Sequence, residues 1–96
     1  MRLEFLLEAE EELVAAAEFY VSAMPRLGRE FLAEVTRTCG LIAENPTAGS
    51  RLAPRIRRRL VRRFPYSVIY AEFSDTILIL AVAHQRRRPG YWQDRT

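Results

Sequence analysis

The chain of 96 residues contains no lysine, one cysteine, one histidine and one tryptophan. Each shortage excludes something. Cys39 stands alone, so no intrachain disulfide can form, and one cysteine with one histidine falls short of the ligand set of a structural zinc site. Glycine is sparse and nowhere clustered into a phosphate-cradling loop. The longest apolar run, Ile77–Ala83, is far below the roughly 18–20 residues of a membrane span. Glu4 and Glu8 break the N-terminal apolar stretch, so a signal peptide is not expected and the cytoplasm is the expected compartment. No cofactor and no metal are expected.

What is present is arginine, fifteen residues of it, within a chain that is 49% hydrophobic. That apolar fraction excludes intrinsic disorder, and the length allows one domain, residues 1–96. Twelve alanines against one asparagine suggest GC-rich coding, which explains arginine in place of lysine. It does not explain the placement. Residues 1–50 hold four arginines and nine acids, a net of −5, and residues 51–96 hold eleven arginines and three acids, a net of +8.

Apolar periodicity divides the chain. Arg2–Leu6 alternates and predicts a first strand. From Glu8 to about Ala23, Ala9, Leu13, Ala16, Ala17, Tyr20 and Met24 form one helical stripe. Glu8, Glu11, Glu12 and Glu18 lie off that stripe, and Glu10, Glu11 and Glu12 are expected to form a solvated face. Pro25 ends this helix and opens a second, from about Arg26 to Glu44, with the stripe Leu27, Phe31, Val35, Thr38, Cys39 and Ile42. Gly40 marks a place where that helix frays or packs closely, and Cys39 is expected to be a buried thiol. Thr47–Pro54 reads as a loop, and three strands follow: Ile56–Phe64, Tyr66–Phe73 and Thr76–Ala83. The last is continuously apolar, as a central strand covered on both faces would be. The expected fold is α+β, β-α-α-β-β-β, with an antiparallel helical hairpin on a mainly antiparallel sheet.

The stretch from Ala83 to Trp92 is the most distinctive. It leaves the most apolar strand, carries Arg86, Arg87 and Arg88, and turns at Pro89-Gly90 to present Tyr91 and Trp92. Clustered guanidiniums beside aromatics suit phosphates and bases, and equally a protein interface. Four motifs stand in order: Leu27-Gly28-x-x-Phe31, Asn45-Pro46, Arg63-Phe64-Pro65-Tyr66-x-Val68-Ile69-Tyr70, and Ala83-His84-x-Arg86 with Pro89-x-Tyr91-Trp92. Together they resemble the RelE/ParE superfamily of bacterial toxins over nearly the whole chain. The resemblance implies the toxin of a type II toxin–antitoxin module, growth-inhibiting and associated with plasmid stabilisation. Its implied partners are a cognate antitoxin and either DNA gyrase (ParE-like) or the ribosome and mRNA (RelE-like). Operator DNA would be reached only through the antitoxin.

Chemistry sorts the two branches. RNA cleavage needs a base, an acid and stabilisation of the phosphorane. Arginine stabilises charge but is a poor base, and the lysines of a RelE-like site are absent here. The arginine of the RelE-like Tyr-Arg-hydrophobic-hydrophobic-Tyr strand aligns with Ser67, while Arg86 matches the arginine after the last strand. The resemblance therefore favours the ParE-like, non-enzymatic branch, with no catalytic residues. Under the RelE-like alternative the catalytic set would be Arg62, His84, Arg86, Arg88 and Tyr91. Target or nucleic-acid contact is expected at Arg58, Arg62, Arg63, Arg86, Arg87, Arg88, Tyr91 and Trp92. Antitoxin contact is expected at Leu13, Tyr20, Phe31, Val35, Arg57 and Arg59. For His84 the preferred reading is structural, a ring that ends a strand and bonds a backbone carbonyl. For Trp92 it is an indole folded back to close the core.

Overall fold

The computed structural model describes residues 1–95. Strand β1 (Arg2–Phe5) leads into helix α1 (Leu7–Ala23) and helix α2 (Pro25–Glu44). A 3-10 turn, Pro46–Ala48, precedes strands β2 (Ser50–Ala53), β3 (Ile56–Leu60), β4 (Tyr66–Glu72) and β5 (Thr76–His84), and a last 3-10 turn spans Gln93–Arg95. Among the described residues the sheet has five strands in the order β1-β5-β4-β3-β2. β1 runs parallel to β5, and the other pairings are antiparallel. The α+β class and the helical hairpin on a mainly antiparallel sheet are as expected.

Two stretches differ from the expected boundaries. Thr47–Pro54 is not wholly loop, because Ser50–Ala53 pairs with β3 as an edge strand. Its residues are mostly exposed, so it leaves no apolar alternation to read. β3 ends at Leu60 rather than running to Phe64. Arg63 takes φ 72°, the left-handed region, and the chain reverses there. The reversal sends Phe64 into the core at 6% exposure and leaves Leu60 at 60%. Two ion pairs to α2 hold the turn: Arg63 to Glu30 at 2.8 Å and Arg62 to Glu34 at 3.3 Å. The Arg63 hydrogen bond holds the Glu30 carboxyl below its ordinary range.

The sheet is covered on both faces. Against the helices lie Val68, Tyr70, Ile77, Ile79 and Val82, packed on Ala9, Ala16, Phe31, Val35 and Ile42. The other face carries Ile69, Ala71, Leu80, Ala81 and Ala83 under Trp92. A bulge makes this division possible. Ile69 pairs with Ala81 but Tyr70 pairs with Ile79, so Leu80 is the extra residue in β5. The insertion shifts the alternation by one, and Ile79 and Val82 therefore serve the same face.

The helices touch closely where α1 meets the start of α2. A Cβ on Gly28 would collide with Val21 Cγ2 and would press on the Ala17 carbonyl at 3.2 Å. Gly40 faces open space, so nothing packs closely there and the helix continues to Glu44. Opposite outcomes are expected from one substitution. Gly40→Ala gains about 1 kcal/mol of helix propensity and raises Tm by about 4–8 °C. Gly28→Ala sets that gain against an overpacking penalty of about 1–3 kcal/mol and lowers Tm. Thermal melts followed by circular dichroism read both.

Candidate functional site: an arginine-rimmed cleft under the C-terminal segment

Backbone parity decides which arginines meet. On β3, Ile56, Arg58 and Leu60 pair with Ala71, Ile69 and Ser67, on the face away from the helices. Arg57 and Arg59 pair with Tyr70 and Val68 and take the helix side, where Arg57 donates to the Gly49 carbonyl at 2.9 Å. β5 delivers His84 at its end, and the turn after it carries Arg87, Arg88 and Pro89 back over the sheet. Between these elements lies a cleft of about 450 Å³. Leu52, Leu60 and Ile69 supply apolar wall, and Trp92 closes one side. Three arginines line it, Arg58, Arg87 and Arg88, and no Asp or Glu does. Among the described residues neither Arg58 nor Arg88 makes an ion pair.

The C-terminal segment is held over the sheet by one carboxylate, Glu12 of α1. Glu12 Oε2 accepts from the Tyr91 hydroxyl at 2.8 Å and from Arg95 at 2.9 Å. Its Oε1 accepts from Arg95 at 3.0 Å and from the Val82 backbone N–H at 3.0 Å. Arg95 also donates to the Leu80 carbonyl at 2.9 Å. The Glu12 and Arg95 side chains are only 15% and 16% exposed, so this is a partly desolvated, bidentate pair. The Arg87 guanidinium lies 3.8 Å from the centre of the Tyr91 ring, a cation–π contact. Burial, then the hydrogen bond to Glu12 and its charge, push the Tyr91 hydroxyl well above its ordinary value. It stays a proton donor to Glu12.

Glu12 is the residue of this site that the sequence pattern misplaces: it is not part of a solvated face. Its position did carry a signal. It lies three residues after Ala9 and four before Ala16, both buried, which puts it on the margin of the inward stripe. Arg95, its partner, was not anticipated at all. Nothing in the local sequence links residues 83 apart.

The expected site residues separate into groups. Arg58, His84, Arg87, Arg88, Tyr91 and Trp92 line the cleft. Arg62 and Arg63 do not join them, being turned to Glu34 and Glu30 on α2. Arg86 is exposed and outside the cleft lining. His84 bonds the backbone, but as acceptor: its Nδ1 takes the Arg86 N–H at 3.0 Å, and its ring meets Tyr66 edge-on. Trp92 is folded back, 7% exposed, in the second core. On the expected antitoxin surface, Phe31 and Val35 are closed core at 0% and 2% exposure and present no groove, because Phe64 and the sheet already cover them. Leu13 and Tyr20 are half-buried against that core. The residues of the RelE-like catalytic set do not converge, since Arg62 and Arg86 lie outside the cleft and the Tyr91 hydroxyl is spent on Glu12.

Two outcomes follow. Glu12→Ala leaves the largely buried Arg95 without its partner and should lower stability by about 3 kcal/mol, read as a shifted urea midpoint. The single tryptophan reports the same event, and its emission should move to the red as Trp92 leaves the sheet. Separately, burial raises the hydroxyl pKa of Tyr20, Tyr66, Tyr70 and Tyr91. The unfolded chain loses these protons first, near pH 10, so stability should fall as pH rises past 10. Tyrosinate absorbance should then appear together with loss of helical signal.

Comparison with known proteins agrees with this architecture. The family described as the ParE toxin of the type II toxin–antitoxin system, parDE, matches residues 3–89. A solved structure titled as the chromosomal ParDE TA system from P. aeruginosa superposes with a TM-score of 0.76 at 19% sequence identity, covering 88% of this chain and 95% of that one. At that identity the likeness establishes the fold. No curated protein matches the chain. The family match spans nearly the whole domain, from β1 to the turn that carries the cleft arginines, and the chain belongs to the ParE toxins of type II toxin–antitoxin systems.

Proposed function

We propose that this ParE-family chain inhibits DNA gyrase in the cytoplasm, through the arginine-rimmed cleft, and that a cognate antitoxin neutralises it. The observation that carries the reading is a cleft with two arginines that have no carboxylate partner, and with no acid in its lining, among the described residues. Guanidinium groups left unneutralised beside apolar wall favour an acidic protein surface with a bulky side chain. The lack of lysine and the engagement of Tyr91 by Glu12 favour binding over proton-transfer chemistry. An acidic antitoxin segment would compete for the same arginines, which gives neutralisation a direct physical basis.

Purified chain should inhibit gyrase supercoiling. Arg58→Glu with Arg88→Glu should raise the required concentration by about tenfold or more, since reversing charge leaves the target's acids opposed. Saturating chain with no effect on supercoiling would sink the reading. Codon-phased cuts in translated messages after induction would replace it with the RelE-like nuclease.

A further inference from the structure

The sheet face away from the helices is closed by one short strap. Residues 86–95 follow β5 and lay Trp92 on Ile69, Ala71, Leu80, Ala81 and Ala83. The last backbone bond between this end of the chain and the rest of the domain is the Gln85 N–H on the Pro65 carbonyl. Beyond it, among the described residues, every backbone hydrogen bond is local: Arg87 to His84, Tyr91 to Arg88, Gln93 to Gly90 and Arg95 to Trp92. The side-chain bonds that reach the body converge. Tyr91 and Arg95 both end on Glu12, and Arg87 approaches the same carboxylate at 4.0 Å. A second anchor, the Leu80 carbonyl, is also reached through Arg95.

A segment tied by one polar junction and one indole can leave as a unit. The larger core, which includes Phe31, Ile42, Tyr70 and Val82, contains no strap residue, so the helices and the sheet keep their packing when the strap lifts. The Val82 N–H keeps its Glu12 partner, and water can replace Arg95 on the Leu80 carbonyl. Lifting nevertheless dismantles the cleft. Residues 87–93 form one of its walls, with Arg87 and Arg88, while Arg58, Leu60 and Ile69 belong to the opposing strands. Glu12 and Arg95 line none of it. They act on the cleft only by setting whether its walls stand together.

We propose that residues 86–95 are a hinged lid, that the Glu12–Arg95 pair is its latch, and that a bound acidic segment engaging both Arg58 on β3 and Arg88 on the lid holds it shut. The lid does not depend on gyrase being the target; its closure by an acidic segment rests on the acidic reading of the cleft. A ligand that binds only the closed form loses apparent affinity in proportion to the open fraction, so a broken latch weakens binding without touching the site.

The test uses the whole chain and two probes. Trp92, the only tryptophan, sits on the lid, and helical circular dichroism reports the body. In a urea titration, acrylamide quenching of Trp92 should rise before the helical signal falls. Arg95→Ala should raise that quenching about threefold or more without urea and lower the Trp92 midpoint, with the helical midpoint little moved. Arg95→Lys keeps one charged donor and should fall between the two. For closure, a synthetic peptide of glutamates flanking one leucine is titrated by calorimetry. It should bind the wild type, protect Trp92 from acrylamide, and bind Arg95→Ala at least about fivefold more weakly. Coincident transitions of the two probes, or equal lowering of both midpoints by Arg95→Ala, would overturn the lid. Equal affinity for the two proteins would overturn its coupling to the cleft. A peptide that binds neither protein would remove the acidic reading of the cleft, and with it closure by an acidic segment, while the two probes still decide the lid.

Discussion

The Glu12 carboxylate is the constraint on which the second half of the structure depends. β1 is four residues long and β5 is nine, so β5 outruns its parallel neighbour. The last bond between them is the Leu6 N–H on the Ile79 carbonyl. Beyond it the β5 backbone has no strand on that side, and an unmet buried backbone group costs about 1–3 kcal/mol. Glu12 takes the Val82 N–H and Arg95 takes the Leu80 carbonyl, so two side chains finish what a longer β1 would have done. The two are joined to each other, and that junction requires the C-terminal segment to return across the sheet. The return lays Trp92 on Leu80, Ala81 and Ala83 and stands Tyr91 against Glu12. The cleft is the space left beneath the returning segment.

Charge is then sorted by geometry. The second half of the chain carries eleven arginines, but they do not form one basic surface. Alternation on β3 sends Arg57 and Arg59 to one face and Arg58 to the other. Glu30 and Glu34 draw Arg62 and Arg63 to α2, and Glu12 absorbs Arg95. Arg87 stacks on Tyr91. Among the described residues, what remains open on the cleft is Arg58 and Arg88, and a guanidinium without a partner there is the kind that an external one can claim. The acids divide in the same way: Glu12 turns inward, while Glu10, Glu11 and Glu18 border the outer groove of α1.

Much of this was legible in the sequence because it rests on local periodicity. The two helical stripes, Pro25 between the helices, the apolar run of β5 and the pairing of β3, β4 and β5 all follow from spacings of 3.6 and 2. The cleft was half legible, since Arg86–Trp92 could be seen to follow the most buried strand. β2 was not, because an exposed edge strand held by backbone bonds needs no side-chain pattern. The end of β3 was not, because its turn is held by α2, about thirty residues away, through Glu30 and Glu34. Phe31 and Val35 were correctly placed on an apolar stripe, but a stripe cannot say whether its cover comes from the same chain or another. Glu12 failed for a related reason: an acid beside two other acids reads as solvated until its distant partners are known.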